Sequence, residues 1–380
     1  MANLSQVKDH QVEEGNMKKL ARRVTKFNGI SIGLDLHKTF IQWQAIDANG
    51  NECGDGRIDA SPEDFAKWIK VWVGQKVQFA LEACGSVYWV YDMLLGKFGE
   101  ASTCPVQPAK MRVIANSQEK NDANDAWWLA YMLHEGRAPR AFLPTGVLRE
   151  LRIVSRELRD WTDRRSNVIR RMRSYMRQLG RDLSKSFWSS AKKRTRAREL
   201  LKGIEGETGK ALRRLWREVM QKNRVIKELT GSLEQLGRQL PEVETIAREM
   251  PGMGKVLSAT VTAELGDPRR FNRAKAYAKA TGLTPGYRIS AGKQVGGSVM
   301  SRQGSRHARW AFTRAVISCL RCKKGAGHQV RRWFEARVRH KAKKKVIVAA
   351  AKKLAEGVWR LFNLGEVFDL KKAFPLPSTP

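Results

Sequence analysis

The sequence is poor in acidic residues and has no long apolar segment. Only 37 Asp and Glu residues accompany 72 Lys and Arg residues among 380, so the formal net charge is +35. Such an excess repels itself unless a polyanion neutralises it, and nucleic acid is the usual polyanion. An anionic membrane surface is the alternative, but no apolar run approaches the ~20 residues that span a bilayer. The start of the chain also has no apolar signal-peptide segment, so we expect a cytoplasmic protein that binds nucleic acid.

Cysteine is scarce as well, and its spacing excludes a disulfide framework. There are five cysteines, an odd number scattered along the chain. Cys319 and Cys322 form a CxxC pair, but no second pair of Cys or His lies at zinc-ligand spacing. The surrounding segment, ARWAFTRAVISCLRC, has apolar residues at helical intervals. We therefore predict two core cysteines on a helix instead of a zinc site.

The first part of the chain alternates between strand and helix patterns. From Ile30, period-two alternation predicts a strand, a turn at His37 and a returning strand. A helix follows, with Ser61 as its N-cap and Asp64 completing a capping box. Further short apolar strands alternate with helical segments, which is typical of an α/β layer.

The rest of the chain is predicted to be mostly helical. Two long segments have apolar residues at three- and four-residue intervals with many arginines between them, which predicts a helical hairpin or a coiled coil. A solvated basic helix face is the plainer alternative. The predicted segments are a polar, loosely ordered extension (1–28), an α/β domain (29–146), a central helical region (147–245), a C-terminal domain (246–365) and a disordered tail (366–380).

The C-terminal domain contains two patterns typical of phosphate binding. Residues 251–254, PGMG, separate two helical segments and resemble a helix-hairpin-helix turn, although such a turn also serves as a plain connection. Between residues 301 and 360 the only acidic residues are Glu335 and Glu356. The arginine-rich composition predicts a phosphate-binding surface there. The residues that we expect to bind nucleic acid are Arg288, Lys293, Arg302, Arg306 and Arg309.

Four carboxylates are candidates for a metal site. Asp35 and Glu82 stand in otherwise apolar strand segments, where a charge costs free energy unless it is paired or binds a metal. Asp122 and Asp125 begin an apolar helix, and their i,i+3 spacing puts both on one helix face. Two divalent ions ~4 Å apart serve phosphodiester chemistry, and Mg²⁺ prefers such oxygen ligands. The set predicts a nuclease-like fold of ribonuclease-H type, although Asp122 could simply cap its helix and Glu82 could face water.

A glycine-rich, arginine-flanked stretch carries three serines, Ser290, Ser298 and Ser301. A serine exposed in such a loop is placed to attack a phosphate, although loop serines more often form turns. No histidine or second acid at a fixed spacing marks a general base. The residues alone therefore do not indicate which of the three serines would be the nucleophile.

Taken together, four segments resemble the IS110 family of insertion-sequence transposases, also called DEDD transposases and related to the Piv DNA invertase. The segments are IGLDLHK, ALEACGS, EKNDANDAWWLA and a long block from MPGMGKVLSATVTAELGD through GLTPGYRISAGK to MSRQGSRHAR. The resemblance spans about residues 30–360 and is weaker through the central helices.

This resemblance implies an α/β plus α architecture with a RuvC-like N-terminal domain of ribonuclease-H fold, a central coiled coil and a C-terminal transposase domain. Asp35, Glu82, Asp122 and Asp125 fall on the family's DEDD positions, which bind Mg²⁺, with Mn²⁺ as a substitute. Ser290 falls on the family's catalytic serine, which attacks the DNA backbone and holds a covalent phosphoserine intermediate.

The resemblance also implies partners. These are donor and target DNA, a bridge RNA encoded by the element that pairs with both, and further copies of the chain. In the implied dimer or tetramer, the carboxylate site of one protomer meets the serine of another. We accordingly expect a nucleoid-associated protein of a prokaryote, with no membrane partner.

The chain departs from the family pattern directly after the serine. Ala291 follows Ser290 where the family usually has glycine, so a left-handed backbone there would be strained. Two other functions compete with transposition. A hydrolytic nuclease, such as a Holliday-junction resolvase, would use the carboxylates with water as its nucleophile. A non-catalytic nucleic-acid-binding protein would need neither the carboxylates nor the serine.

Overall fold

The computed structural model describes residues 26–85, 87–108, 110–111, 122–290, 293–300 and 303–376, and the side chains of these residues except 122–123, 287–290 and 293–300. The chain divides into two compact units, with the boundary between Leu143 and Pro144. Residues 1–25 of the predicted polar extension lie outside the described residues. At the end of that extension, Phe27 donates a backbone hydrogen bond to the carbonyl oxygen of His134.

The N-terminal unit is built on a five-stranded mixed sheet in the order β3-β2-β1-β4-β5. Strands β1, β2 and β3 are antiparallel neighbours, whereas β4 runs parallel to β1, and β5 parallel to β4. The elements are β1 (Ile30–Leu36), β2 (Phe40–Ile46), β3 (Glu52–Asp59), α1 (Pro62–Lys70), β4 (Val77–Glu82), α2 (Val87–Phe98), β5 (Thr103–Val106) and α3 (Asp122–His134). The predicted α/β layer is confirmed. Strand β3 was not predicted, because this edge strand has a mostly exposed, glycine- and charge-rich sequence.

Apolar side chains cover both faces of the central strands. On one face Ile32, Leu34 and Phe79 pack with Phe65 of α1 and Leu94 of α2. A second cluster, which includes Ala80 of β4, contains Leu129 and Leu133 of α3. Burial on both faces explains the nearly continuous apolar character of β1 and β4.

The predicted N-cap at the start of α1 is confirmed, whereas the backbone N–H of Ser61 donates to the carbonyl oxygen of Asp59 and not to Asp64, so the reciprocal bond of a capping box is not formed. The backbone N–H of Asp64 donates to Oγ of Ser61 at 3.1 Å, and Oγ of Ser61 donates to Oδ2 of Asp64 at 2.8 Å. Ser61 has extended backbone angles, as an N-cap residue requires. The Ser61 hydroxyl thus satisfies one otherwise unpaired backbone N–H of the first helical turn.

The C-terminal unit is mostly helical. Its long helices α4 and α6 pack on each other, and α4 also packs on α8. The elements are α4 (Gly146–Gln178), α5 (Ala191–Lys202), α6 (Gly206–Gly237), α7 (Pro241–Glu249), α8 (Lys255–Leu265), a 3₁₀ turn (Pro268–Arg270), α9 (Ala274–Ala280), β6 (Pro285–Ser290), β7 (Lys293–Met300), α10 (Arg306–Cys319), α11 (Gly325–Val338), α12 (Lys343–Asn363) and α13 (Leu370–Ala373). Among the described helices of the whole chain, none is long and apolar enough to cross a membrane.

The segment between the long helices α4 and α6 has structure of its own. It contains α5, and Phe187 stacks on Trp216 of α6 with ring centroids 5.5 Å apart. These residues belong to a local apolar core with Met172 of α4 and Leu201 of α5. The many charged residues of this segment concealed the few apolar ones that fold it.

The glycine-rich stretch and the tail also differ from the prediction. The stretch forms an antiparallel hairpin of β6 and β7, which the sequence analysis treated as a loop. In the tail, Phe374 is fully buried and contacts Trp333 edge to face. The expectation of disorder is therefore wrong at Phe374, because one aromatic residue suffices to anchor a proline-rich segment on the core. Residues 377–380 lie outside the described part.

The CxxC pair is divided between a helix and the turn after it. Cys319 is the last residue of α10 and is fully buried in the main apolar core, as predicted. Cys322 is half-buried and lies beyond the end of the helix, so its prediction as a helical residue is wrong. Burial raises the pKa of the Cys319 thiol to about 12, which keeps it protonated.

Candidate functional site

Asp35 and Glu82 lie at the carboxyl ends of two adjacent parallel strands. Strand β1 pairs with β4 in register from Ile30 opposite Val77 to Leu34 opposite Leu81. The next residue on each strand is Asp35 and Glu82. Two carboxylates that are far apart in sequence thus reach neighbouring positions at one sheet edge.

Both positions belong to the sheet face that α3 covers. A Cβ built on Gly33 would collide with α3, and Asp35 follows Gly33 by two residues on the same face. Ala80 packs in one cluster with Leu129 of α3, and Glu82 follows Ala80 by two residues in the same way. The sheet therefore directs both carboxylates towards the side on which α3 lies.

Helix α3 runs antiparallel to these strands and brings its first turn to their carboxyl ends. Near the helix end, Leu133 accepts a 3.3 Å hydrogen bond from Nε2 of Gln78, a residue at the start of β4. Four residues separate Asp122 from Ala126, which faces Gly33, and this span corresponds to about 6 Å of helix. Two residues separate Gly33 from Asp35, which corresponds to about 7 Å of strand. The start of α3 thus lies beside Asp35.

Asp122 and Asp125 occupy this first helical turn. Each precedes by one turn a residue that faces Gly33, namely Ala126 and Leu129. Asp125 is exposed, and the side chain of Asp122 lies outside the described atoms. The backbone therefore places all four predicted carboxylate positions at one end of the sheet.

Asp35 contacts a histidine that the sequence analysis assigned only to a turn. Nε2 of His37 lies 2.9 Å from Oδ2 of Asp35, and the Asp35 side chain is 13% exposed. The ring of His37 stacks on Phe40 with centroids 4.5 Å apart, which fixes its orientation. The i,i+2 spacing of the two residues on one strand face was the signal that could have revealed this pair.

Carboxylate oxygens are ligands that Mg²⁺ accepts, and Asp35 is buried enough to need a partner. Among the side chains that the structure describes, no group of three or more His, Cys, Asp or Glu residues is close enough to hold a metal ion. Asp35, Glu82 and Asp125 therefore do not form a complete three-ligand site by themselves. The donor chemistry fits a hard divalent cation.

Ser290 is the last residue of β6. It pairs across the hairpin with Lys293, the first residue of β7, and Arg288 pairs with Val295. The hairpin tip between the strands, including Ala291, lies outside the described residues. Ser298 lies within β7, whereas Ser301 lies outside the described residues. Of the two candidate serines that the structure describes, Ser290 is the one next to the hairpin tip.

The other predicted basic residues begin α10, directly after the hairpin. Arg306 is exposed and Arg309 is half-buried on this helix, whereas Arg302 lies outside the described residues. Ser305 caps the helix by accepting hydrogen bonds from the backbone N–H groups of His307 and Ala308. The cap residue, Ser305, also connects the start of α10 to a buried acidic residue.

That buried acid is Glu264, which the sequence analysis missed. Its two carboxylate oxygens accept hydrogen bonds from Nε and Nη2 of Arg156 at 2.7 and 3.1 Å, and Oγ of Ser305 donates to it at 2.9 Å. Burial alone would raise the pKa of Glu264, but Arg156, the charge of Arg152 and Ser305 outweigh it and hold the pKa below its usual value. An acid within the apolar run SATVTAELG was the available signal.

Arg152 of α4 binds the same region, at the end of α8. Its Nε and Nη2 donate to the backbone carbonyl oxygens of Ala263 and Glu264 at 2.9 and 3.0 Å. The side chain of Arg152 is buried and satisfies carbonyls at the end of α8. The sequence predicted that the arginines of the central helices are solvated or bind nucleic acid. Arg152 instead stabilises the packing of α4 on α8.

The predicted phosphate-binding turn of residues 251–254 does join two helices, α7 and α8. Gly252 has a left-handed backbone with φ of 75°, and a Cβ there would lie 2.4 Å from the carbonyl oxygen of Ala315 in α10. This glycine is therefore required for helix packing. Gly254 is exposed at the N-cap of α8 and has no such neighbour.

Comparison with known proteins supports one family over both halves of the chain. A DEDD transposase model of the IS110 group matches residues 32–180, which include the four carboxylates. The model described as transposase IS116/IS110/IS902 family matches residues 244–331, which include Ser290, Arg306 and Arg309.

Whole-length relatives agree with these matches. The transposase for insertion sequence element IS1111A of Coxiella burnetii is 22% identical, with 89% of this chain and 90% of the relative covered. A protein of Pseudomonas aeruginosa named as a family 20 transposase is 23% identical, with 87% and 96% covered. A protein of Sinorhizobium fredii named as a transposase is 27% identical, with 89% and 85% covered. Since both models and these relatives agree, the chain belongs to the IS116/IS110/IS902 family and is an insertion-sequence transposase.

Proposed function

We propose that this transposase cuts and rejoins DNA with two cooperating groups, a divalent-metal site at Asp35, Glu82, Asp122 and Asp125 and the hydroxyl of Ser290. The observation that carries the proposal is the meeting of β1, β4 and the first turn of α3 at one sheet edge. The strand order and the helix on that face also support a ribonuclease-H-type, RuvC-like domain.

The carboxylates would hold Mg²⁺ or Mn²⁺. When bound, the metal supplies positive charge that stabilises the phosphorane-like transition state. Asp35 is the central ligand in this proposal because it is buried, and His37 holds one of its oxygens at 2.9 Å. His37 would therefore orient the carboxylate for metal binding.

Ser290 would act as the nucleophile. Its hydroxyl oxygen attacks phosphorus, its proton passes to a base or water, and the DNA oxygen that leaves takes up a proton. One phosphodiester thus becomes one phosphoserine ester and one DNA hydroxyl. A hydroxyl of the incoming strand then attacks the phosphoserine and restores the serine, so no external energy source is needed.

Further copies and RNA belong to the same proposal. The chain would act as a dimer or tetramer in which Ser290 of one protomer meets the carboxylates of another. A bridge RNA from the element would pair with donor and target DNA. The net charge of +35 and the basic helices α4 and α6, proposed as a coiled coil, support a large polyanionic partner.

The test is a denaturing gel for covalent protein–DNA adduct. It uses full-length protein, Mg²⁺, the transcript of the element's flanking region and junction DNA. We expect an adduct in the wild type that is absent from Ser290→Ala and Asp35→Asn. Asp59→Asn, at an exposed carboxylate of β3 in the same unit, is the control and should form the adduct normally.

Other outcomes would contradict the proposal. Loss of the adduct in Ser298→Ala but not in Ser290→Ala would place the nucleophile elsewhere in the hairpin. Nicked DNA without adduct, unaffected by Ser290→Ala but lost in Asp35→Asn, would make the site a hydrolytic nuclease of resolvase type.

A further inference from the structure

Arg159 of α4 lies against the first turn of α10, although the two are far apart in sequence. Its Nη1 donates to the carbonyl oxygen of Arg306 at 3.3 Å and lies 3.4 Å from Nδ1 of His307. Its guanidinium carbon lies 5.2 Å from the centroid of the Trp310 ring. A carbonyl, a ring nitrogen and an aromatic face hold the guanidinium in place without neutralising its charge.

Positive charge accumulates around this guanidinium. Burial lowers the pKa of Arg159, and Arg306, Arg309 and Arg314 lower it further, against the opposing effect of Asp163. Asp163 lies 3.8 Å from Nε of Arg159 and is 61% exposed. An exposed pair at that distance contributes little. The cluster therefore has a surplus of positive charge that an anion would neutralise.

Nearby groups do not remove this surplus. The carboxylate of Glu264 is already held by both arms of the Arg156 guanidinium and by Ser305. Burial and the cations Arg159, Arg156 and Arg306 lower the pKa of His307 to about 4, so its ring is neutral at physiological pH. The neutral ring permits close approach of arginines without adding charge.

The cluster is joined to the base of the hairpin that carries Ser290. A Cβ on Gly282 would lie 3.3 Å from Nη1 of Arg309, so this guanidinium rests on the segment that leads into β6. On the return side, the backbone N–H of Ser305 donates to the carbonyl oxygen of Ala280 at 2.8 Å. A nucleic-acid strand held by the cluster is therefore held at a fixed place relative to the hairpin base.

Resting on the proposed function, we propose that Arg159, Arg306 and Arg309 form a phosphate clamp that grips the backbone of the DNA strand beside the cleavage site. Arginine forks suit this task because they offer several planar N–H donors to phosphate oxygens. From Gly282, which Arg309 contacts, to Ser290 the chain spans at most about 27 Å. With one phosphate per strand every ~3.4 Å of duplex, the clamped phosphate lies within about eight steps of the cut.

The first test measures DNA binding without catalysis. In a Ser290→Ala background, affinity for a junction DNA duplex is measured over a range of salt concentrations. We expect Arg159→Gln to weaken binding and to reduce the slope of log affinity against log salt by about 0.9, the value for one lost phosphate contact. Arg159→Lys should restore the slope, since it keeps the charge, but should restore the affinity only partly, since it loses the fork.

Arg248→Gln is the matched control. Arg248 lies in the same unit, is 72% exposed and pairs with Glu249 at 2.7 Å. The Arg248→Gln substitution removes the same net charge as Arg159→Gln. An equal loss of affinity and of salt slope in the control would therefore overturn the clamp in favour of general electrostatic attraction. An unchanged slope in Arg159→Gln, or a loss seen only with structured RNA of the element, would also overturn it. Because Ser290 is absent from this assay, these results do not depend on the serine chemistry.

The second test locates the clamped phosphate in the wild-type protein. Neutral methylphosphonates replace single phosphates in turn, and covalent adduct yield is measured for wild type and Arg159→Gln. We expect one position within about eight steps of the cut at which the neutral group lowers the wild-type yield but not that of Arg159→Gln. Equal sensitivity of both proteins at every position would exclude the clamp.

Discussion

Gly33 of β1 and Ala126 of α3 are in backbone contact: a Cβ on Gly33 would lie 1.9 Å from the carbonyl oxygen of Ala126 and 2.6 Å from the backbone nitrogen of Ala130. No other residue type allows the helix to approach the strand so closely. This approach brings the first turn of α3, with Asp122 and Asp125, to the strand end that carries Asp35.

We expect Gly33→Ala to destabilise the N-terminal unit by about 3 kcal/mol, because a methyl group forced against backbone atoms displaces the helix. Unfolding by urea, followed by circular dichroism, measures this change. Gly96→Ala is the control, since Gly96 lies in α2 with nothing within 4 Å of a Cβ. That change should be neutral or stabilise by up to about 1 kcal/mol. Equal effects of both substitutions would refute the close-approach argument.

The turn between α7 and α8 offers a second matched pair of glycines. Gly252 has φ of 75° and faces Ala315, whereas Gly254 has φ of −72° and open space at its Cβ. We expect Gly252→Ala to cost about 2 kcal/mol or more from backbone strain and overlap, and Gly254→Ala to cost well under 1 kcal/mol. Thermal unfolding would compare the two variants. If Gly254→Ala were the more damaging, the packing role of Gly252 would be wrong.

Because of Glu264, the stability of the C-terminal unit should depend on pH in the acidic range. Its folded-state pKa is lowered, so its stabilising contribution is present in full above 4.5, the ordinary value for Glu, and is lost as pH falls through the lower folded value. We expect Glu264→Gln to cost about 2 kcal/mol at neutral pH, a reduced figure because Arg156 is 47% exposed. The difference from wild type should shrink at pH values below 4.5.

Urea unfolding at neutral and acid pH would measure both effects of Glu264→Gln. Glu335→Gln is the control, since this carboxylate is 53% exposed and pairs with Arg331 along one helix. An exposed pair of this kind should contribute less than about 1 kcal/mol. A difference between wild type and Glu264→Gln that persists undiminished at low pH would contradict the assigned linkage.

The cysteines should differ in reactivity, because Cys104 and Cys319 are buried, Cys84 and Cys322 are half-buried and Cys53 is exposed. Cys53 is exposed, whereas Cys319 is fully buried with its pKa raised to about 12. A thiol reagent at mildly alkaline pH should modify Cys53 rapidly and leave Cys319 intact until the protein unfolds. Mass spectrometry of the labelled peptides would show this order. Zinc chelators should leave the melting temperature unchanged, and a large drop would restore the zinc interpretation of the CxxC pair.

Much of the N-terminal unit was predictable because its signals are local. Period-two alternation from Ile30 and the N-cap at Ser61 depend on neighbouring residues, and both predicted features are present. Strand β3 was not predictable in the same way. Its sequence lacks apolar residues because it forms the sheet edge, and only pairing with β2 makes it a strand.

The sequence by itself determined the chemistry that the chain can offer: its positive charge, its four carboxylates, its serine-bearing stretch and the family to which it belongs. Burial of Asp35 was also foreseeable, since a carboxylate in an apolar strand requires a partner. Which residues meet was decided only by the tertiary structure. Parallel pairing brings Asp35 beside Glu82, and helix packing brings Arg159 to Arg306 and His307. These contacts join residues that are far apart in sequence, and they depend on strand register and helix packing, which no local pattern encodes.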